Sequence, residues 1–357
     1  METIEFNRLQ EEETDSIESV MPPSDIIAFN ELRSCADIYR MYAAGQLDIN
    51  PDFQRGEVWT PKAKTMFIDS LIKQLPIPSM CISWDFSENK RIVVDGLQRI
   101  STIIEFLKPD SSWKLSKVDD VDDRISGKSV EYIRTKENRL YSMVENLTIP
   151  ITVLRCDYNN KSHMQYLFQI FNRLNTGGCK LYHQEIRNCI FSGPFNSMLK
   201  ELVRTDYWCA YAKTDKSKVE KARFSNEELM LRFFAFYERY KLYNGKLASF
   251  LNRFMEDHKN DSEHRIIRNK DLAIRALAVA HNAGVAVDYR NVADAILVGI
   301  AKNIQKLENA QGETVKALFD EIIASEDFSL ESLKSDVSGK EKVNNRINKA
   351  ITVFSRD

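Results

Sequence analysis

Asp95, Gly96, Gln98 and Arg99 place an acid, a side-chain-free backbone, an amide and a guanidinium close together in the sequence. A carboxylate can hold Mg²⁺, directly or through water, and a glycine lets the backbone approach a phosphate. Gln98 could orient a water, and Arg99 could pair with phosphate oxygens and offset charge as it develops. These residue types point to a phosphate or nucleotide site at which Asp95, Gln98 and Arg99 are catalytic and Asp95 is the metal ligand.

The flanking residues predict a sharp turn from a strand into a helix. Residues 92–94 form a β-branched apolar run, and apolar residues recur at helical spacing across 100–107. The first turn of a helix has unpaired N–H groups and the positive end of the helix dipole, so it suits an anion. We include Ser101 and Thr102 among the expected phosphate-binding residues. The pattern leaves a purely structural alternative open, in which the acid caps the helix and the arginine pairs with a surface acid.

A second cluster of polar side chains lies within residues 171–178. It contains Asn172, Arg173 and Asn175 ahead of two glycines, which allow backbone N–H groups to approach a ligand. A helix C-cap followed by a turn would explain the same glycines, because glycine after a helix is common. Arg55 is a further candidate cation if its loop folds beside the first turn.

The rest of the pattern divides into a mixed part and a helical part. The expected strands of the mixed part cover residues 79–85, 91–95 and 149–155, of which the first two form a hairpin. Its expected helices cover residues 31–42, 61–75 and 160–170, with Thr60 as an N-cap. Residues 108–147 are expected to be a polar, solvated insertion with little core of its own. The helices expected after residue 181 cover 183–191, 195–203, 226–242, 246–258, 269–283, 292–307, 314–325 and 342–354, and Ser225 is the expected start of a capping box.

The composition fits a soluble globular protein and excludes several classes. The chain has 357 residues, is 43% hydrophobic and 29% charged, and carries a formal net charge of -2, so nucleic-acid binding would need a local basic patch. No apolar run reaches the ~20 residues of a membrane helix, and the acidic N-terminus has no signal-peptide pattern, so a cytoplasmic protein without membrane contact is expected. Neither a C-x-x-C pair, nor an H-E-x-x-H motif, nor a P-loop is present.

Four motifs occur together in the order found in one bacterial family. They are Phe53-Gln-Arg55 with Trp59, Leu71-Ile72 followed by Leu75-Pro-Ile-Pro78, Asp95-Gly-Leu-Gln-Arg-Ile-Ser-Thr-Ile103, and Phe171-Asn-Arg-Leu-Asn-Thr-Gly-Gly178 with Glu185-Ile-Arg-Asn188. Through them, residues 30–195 resemble the D-G-Q-Q-R domain-of-unknown-function family, which is related to the ParB/sulfiredoxin fold. Its members form the N-terminal half of GmrSD-type modification-dependent restriction enzymes and occur in SspE-type phosphorothioation-sensing defence proteins.

The resemblance implies an α+β chain with a ParB/sulfiredoxin-like mixed α/β domain. We expect an acidic arm over residues 1–24, this domain over 25–182 with its insertion at 108–147, and an all-helical domain over 183–357. The family implies that the domain binds or hydrolyses a nucleoside triphosphate with Mg²⁺ and engages DNA. It assigns these roles to the turn at residues 95–99.

The same family resemblance extends the expected nucleotide-binding set beyond the turn. Arg55, Asn172, Arg173 and Asn175 are expected in or beside the nucleotide site. One departure is Leu97, which stands where the family motif has its first Gln. We expect Leu97 to face the core, because it precedes an apolar helix face.

A second departure concerns cleavage of DNA. Family members that cut DNA usually carry a C-terminal His-Asn-His-type nuclease domain, whose chemistry needs a His base beside metal-binding partners. The histidines after residue 186 are His258, His264 and His281, and none has such a context. We therefore expect a chain without its own nuclease of this kind, which works with a separate effector or acts as a sensor.

Three functions are compatible with the sequence. The first is a nucleotide-dependent DNA-recognition component of a restriction or anti-phage defence system. A homo-oligomer of this chain is compatible with that function. The second is a non-enzymatic DNA- or partner-binding module, for which the basic run from Lys213 to Arg223 is the candidate patch. The third, a nuclease with an unrecognised site, ranks last because no paired-carboxylate motif is present.

Overall fold

The computed structural model describes residues 21–49, 59–174, 182–222, 224–288, 290–334 and 336–356. They form two compact units, one within residues 20–180 and one within residues 181–357. The first unit is a mixed α/β structure and the second is helical, so the expected α+β class is confirmed.

The first unit is built on a mixed five-stranded sheet with the order β1-β5-β3-β4-β2. Its strands are β1 (Ile27–Ser34), β2 (Leu47–Asp48), β3 (Met80–Asp85), β4 (Lys90–Asp95) and β5 (Thr148–Cys156). β3 and β4 form the expected antiparallel hairpin, whereas β3 and β5 pair in parallel. β2 pairs in parallel with β4, and β1 pairs antiparallel with β5 at the other side of the sheet.

The described helices of this unit connect and cover the strands. They are α1 (Cys35–Ala43), α2 (Pro61–Ile72), α3 (Leu97–Leu107), α4 (Val130–Lys136), α5 (Asn138–Asn146) and α6 (Lys161–Leu174). Thr60 caps α2 as expected, since its hydroxyl accepts a hydrogen bond from the Ala63 N–H at 3.2 Å. Side chains of α1 to α5 form one core with Ile82, Val93 and Val153 of the sheet. α6 packs against β4.

The prediction of a helix from residue 31 was wrong, because β1 occupies its first residues. The helix begins at Cys35, after a capping box in which the Ser34 hydroxyl accepts from the Asp37 N–H and the Asp37 carboxylate accepts from the Ser34 N–H. Leu32 fits the apolar spacing of a helix over 31–42, but it lies in β1 and is 69% exposed. The capping box was the better signal for the helix start.

The prediction of a solvated loop over residues 108–147 was also wrong. α4 and α5 lie in this segment, and buried side chains such as Ile125 and Ile133 belong to the same core as the sheet. Its Tyr141 ring stacks on Phe106 of α3 at 5.3 Å between centroids. The apolar residues are spaced irregularly between acids, so the sequence shows no strong periodicity there.

The second unit consists of helices and short helical turns. Its described helices are α7 (His183–Ile190), α8 (Pro194–Leu202), α9 (Asp206–Tyr211), α10 (Lys216–Lys221), α11 (Ser225–Arg239), α12 (Leu247–His258), α13 (Glu263–Asn282), α14 (Arg290–Lys302), α15 (Ile304–Leu307), α16 (Gly312–Ile323) and α17 (Lys340–Phe354). The helix expected over 292–307 is divided into α14 and α15, the other expected helices are present with shifted ends, and the short α9 and α10 are additional. No helix of the described residues has the length and apolar character needed to span a membrane.

α11 is the central helix of the second unit, because most of its residues are buried all round. Leu231, Phe233, Phe234 and Phe236 are buried, so this aromatic stripe is core. The capping box expected at Ser225 is not formed. Phe224 is the N-cap in a left-handed conformation with φ 65°, and Ser225 is buried inside the helix.

Candidate functional site

Gly96 forms the turn between β4 and α3 and is required there for two reasons. Its φ of 92° lies in the left-handed region, where other residues are strained. A Cβ at this position would also lie 2.6 Å from the Met80 Cγ. Gly96 is the N-cap of α3 and provides no side-chain hydrogen bond, so the first turn of α3 has no side-chain cap. This is the arrangement in which a helix N-terminus can accept an anion.

Asp95 and Arg99 form an ion pair across this turn. The Arg99 Nη2 donates to the Asp95 Oδ2 at 2.9 Å, and the Arg99 Nη1 donates to the Pro78 carbonyl oxygen at 2.5 Å. The Asp95 side chain is 37% exposed and the Arg99 side chain 15%. Asp95 therefore does not cap α3, and the arginine pairs with the acid of its own motif while remaining open to solvent on one side.

Gln98 is hydrogen-bonded to the backbone of Trp59, which is distant in sequence. Its side-chain oxygen accepts a hydrogen bond from the Trp59 backbone N–H at 3.1 Å, and the Trp59 ring packs edge-on against Phe67 at 5.3 Å. The sequence suggested an amide that orients water, whereas this bond to Trp59 gives Gln98 a positioning role that the sequence did not predict. Arg55 lies outside the described residues.

Ser101 and Thr102 have different positions although they are adjacent. Thr102 is fully buried, and its hydroxyl donates to the Gln98 carbonyl oxygen at 2.7 Å, one helical turn back. Ser101 is only partly buried. The structure therefore brings Gly96, Gln98, Arg99 and Ser101 to the accessible start of α3 and directs Thr102 into the core.

Asn172 and Arg173 lie in the last turn of α6, and Arg173 is exposed. At the other end of α6, the His163 imidazole accepts from the Asp157 N–H at 2.9 Å and pairs with Asp25. These contacts hold the start of α6 near the C-terminal end of β5. Asn175 lies outside the described residues.

Cys81 is a reactive residue type at this turn that the sequence did not single out. It is the cross-strand partner of Asp95 in the β3–β4 hairpin. Burial, reinforced by the Asp95 charge, raises the pKa of the Cys81 thiol to about 12. The thiol is therefore neutral near pH 7 and is no nucleophile there.

A metal ion at this turn would have one protein carboxylate, that of Asp95. Within the described ranges, no group of three or more His, Cys, Asp or Glu side chains is arranged to hold a metal. Mg²⁺ is commonly held by one or two carboxylates together with substrate phosphates and waters. The donor set fits an ion that arrives with a phosphate ligand and does not form a closed metal site.

Comparison with known proteins finds one family model that matches part of the chain. Residues 35–192 match the family model described as GmrSD restriction endonuclease, N-terminal domain. The match extends from α1 to just after α7 and confirms the resemblance inferred from the motifs. Neither the curated proteins nor the solved structures include a match to this chain.

Proposed function

We propose, from the membership of residues 35–192 in the family of GmrSD restriction endonuclease N-terminal domains, that this chain is the nucleotide-dependent DNA-recognition component of a restriction or anti-phage defence system. The family provides the restriction and defence context and suggests interaction with DNA. The dependence on a nucleoside triphosphate and on Mg²⁺ is our addition. A separate nuclease effector would perform any cleavage.

The observation that carries the nucleotide site is the accessible start of α3. Gly96 gives this helix an N-terminus without a side-chain cap, and Arg99 is held within one turn of it. Backbone N–H groups, the helix dipole and a guanidinium would thus face the same phosphate. A phosphate could replace Asp95 as the partner of the Arg99 guanidinium, because both side chains are in contact with solvent. The released carboxylate would then be available to hold Mg²⁺.

Two further groups of candidate residues are part of this proposal. Trp59, bound to Gln98, follows Arg55 by four positions, a distance that the chain spans in at most ~14 Å. α6 starts at the end of the sheet that is opposite to Asp95, and it packs against β4. A helix of its 14 residues is ~21 Å long, close to the length of β4, so its last turn with Asn172 and Arg173 would reach the edge at which Asp95 lies.

Leu97 does not weaken the proposal. Its side chain is partly buried and packs against the hydrophobic core. An amide at this position would not need to contact the nucleotide for the site to form. The substitution of Leu for the family Gln is therefore compatible with an intact nucleotide site.

The alternative of a non-enzymatic DNA-binding module has less support from its candidate patch. Lys213 pairs with Asp288, Lys216 pairs with Asp206 at 2.8 Å, and Lys218 pairs with Asp215 at 3.5 Å. These acidic partners lower the net positive charge around the three lysines, so the described lysines do not form a purely basic surface.

Phosphate release from a panel of Mg²⁺-bound nucleoside triphosphates, with and without modified and unmodified DNA, tests the proposal. We expect hydrolysis by the wild type, its stimulation by DNA, and a loss of at least ~100-fold in Arg99→Ala, the scale of one transition-state charge contact. Arg124→Ala is the matched control, because Arg124 also pairs with an acid of its own segment, Asp122, at 2.6 Å. Equal phosphate release by the wild type and Arg99→Ala would contradict the proposal.

A further inference from the structure

A row of cationic and aromatic side chains crosses one face of the sheet at the end opposite Asp95. Arg155 of β5 lies directly beside Trp84 of β3, and Trp84 lies directly beside Arg91 of β4. Residues opposite each other across a strand pair have side chains on the same face. Ile27 of β1 continues the row on the other side of Arg155. We call Arg155, Trp84, Arg91 and the adjoining Phe86 the sheet-end row.

The side chains of the sheet-end row are stacked on one another. The Arg91 Cζ lies 5.0 Å from the centre of the Trp84 ring, and the Arg155 Cζ lies 4.3 Å from the centre of the Phe86 ring. Asn89 holds one pair in place, because its side-chain oxygen accepts from the Trp84 Nε1 at 3.3 Å and from the Arg91 Nη1 at 3.1 Å. Phe86 is 45% exposed, so part of this surface faces solvent.

Neither arginine of the row has a carboxylate partner among the described residues. Arg91 donates to the Asn89 amide, and the Arg155 Nε is shielded from water without a hydrogen-bond partner. The Glu31 carboxylate acts on Arg91 only at a distance, since it is bonded to Arg33 at 2.8 and 2.9 Å.

Other surface arginines of the same unit differ in this respect. They include Arg33 with Glu31, Arg40 with Asp37, Arg99 with Asp95 and Arg124 with Asp122. The two guanidiniums of the sheet-end row therefore retain charge and hydrogen-bonding capacity that the fold does not use.

We infer that the sheet-end row binds unpaired nucleotides of DNA, with bases stacked on its aromatic and guanidinium planes and phosphates paired with Arg91 and Arg155. The choice of DNA as partner rests on the proposed function. The chemistry favours single strands, because the π-face of a base is accessible only when the base is unstacked. Alternation of aromatic rings and guanidiniums offers both such a face and a countercharge for the backbone.

Fluorescence anisotropy of a labelled oligo-dT, measured at low salt with EDTA and without nucleotide, tests this inference. Base–aromatic stacking contributes enough that Phe86→Ala should weaken binding between about 5-fold and about 150-fold. The matched control is Tyr132→Ala, because the Tyr132 ring is also exposed and lies under a cation, with the Lys128 Nζ at 5.2 Å from its centre. Tyr132→Ala should bind like the wild type.

Salt dependence provides a second readout that a folding defect would not mimic. Each phosphate contact to a single strand contributes a slope of ~0.7 to the fall of log affinity with log salt. Arg91→Gln and Arg155→Gln should each lower the slope by about that amount while their thermal midpoints stay near that of the wild type. An unchanged slope in both variants would overturn the assignment of phosphate contacts.

Two further results would overturn the inference as a whole. One is oligo-dT affinity in Phe86→Ala equal to that of the wild type, and the other is a duplex that competes as well as the single strand. Arg99→Ala, which disables the proposed nucleotide site, should bind oligo-dT like the wild type. Loss of NTP hydrolysis and loss of oligonucleotide binding therefore test the two proposals separately.

Discussion

The two units each contain an aspartate–arginine pair of nearly equal geometry in opposite surroundings. In the first unit the Arg99 Nη2 lies 2.9 Å from the Asp95 Oδ2, with side chains that are 15% and 37% exposed. In the second, the Arg232 Nη2 lies 2.7 Å from the Asp294 Oδ2, with side chains that are 1% and 5% exposed. The distance between the atoms therefore does not distinguish the pairs, whereas access to water does.

The buried pair has no freedom to exchange partners. Burial alone would lower the pKa of Arg232, but the carboxylates of Asp294 and Glu228 outweigh it and the net shift is upward. Asp294 also acts on the buried Arg346, whose pKa is lowered by burial. Asp294 is thus bonded to one buried guanidinium and acts on a second, which indicates a structural role for this carboxylate. The Asp95–Arg99 pair, by contrast, is in contact with water, as the proposed transfer of its arginine to a phosphate requires.

The largest effect that this comparison predicts is on stability in the second unit. Asp294→Ala removes the carboxylate bonded to the buried Arg232 guanidinium, and removal of one partner of a buried pair costs ~3–5 kcal/mol. Asp95→Ala is the control, since an exposed pair contributes ~1 kcal/mol or less. The free energy of unfolding from urea denaturation measures both. Equal losses in the two variants would remove the distinction between the pairs.

The next effect is on the backbone of the turn. Gly96→Ala must hold a left-handed φ of 92° and also displace Met80, so we expect a loss of ~1–3 kcal/mol in the free energy of unfolding together with loss of NTP hydrolysis. Gly45→Ala is a matched control, because Gly45 has a φ of 68° and no atom within 4 Å of the position of a Cβ. The difference between the two losses isolates the contact with Met80. If Gly96→Ala were no less stable than Gly45→Ala, the Met80 side chain would be able to move away from the added Cβ without a cost in stability.

The turn could be predicted from the sequence because its signals are local, whereas the partners of its residues could not. Asp95, Gly96 and Arg99 lie within one strand end and one helix turn, so spacing alone brings them together. The bond from Trp59 to Gln98 joins residues 39 positions apart, and nothing in either motif specifies it. Long-range pairings of this kind depend on the packing of the whole unit.

The same reasoning explains the predictions of the fold that failed. β1 is an edge strand that pairs with β5, more than a hundred positions away along the chain. The apolar residues of β1, Ile27, Phe29 and Leu32, are exposed and lie on both faces of the strand. Such a strand lacks the apolar–polar alternation that identifies a half-buried strand. The longer helices of the second unit were predictable because each carries a local apolar repeat, whereas the short α9, α10 and α15 lack the length to show one.

A smaller effect is expected at Leu97, where the chain departs from its family motif. Because Leu97 packs against the core, Leu97→Gln should reduce the free energy of unfolding by ~1 kcal/mol and should not increase NTP hydrolysis. Calorimetry and the phosphate-release assay measure the two quantities on one preparation. A gain in hydrolysis in Leu97→Gln would mean that the position contacts the nucleotide and that Leu limits turnover.

The smallest effect concerns an exposed pair outside the turn. Hydrogen bonds from the Arg124 side chain lower the pKa of Asp122 to about 2. Burial of the Asp122 carboxyl opposes this shift slightly, and a hydrogen bond from the Arg124 backbone N–H adds to it. Because this pKa lies below that of the unfolded chain, the ionised carboxylate stabilises the fold above about pH 4, and this contribution disappears as the pH falls from about 4 to about 2. Asp122→Asn should therefore lower the thermal midpoint slightly near pH 6, by the equivalent of less than ~1 kcal/mol, and the difference from the wild type should narrow near pH 3. Asp123→Asn is the control. A constant difference at both pH values would show that the effect of the substitution does not come from the ionised carboxylate of Asp122.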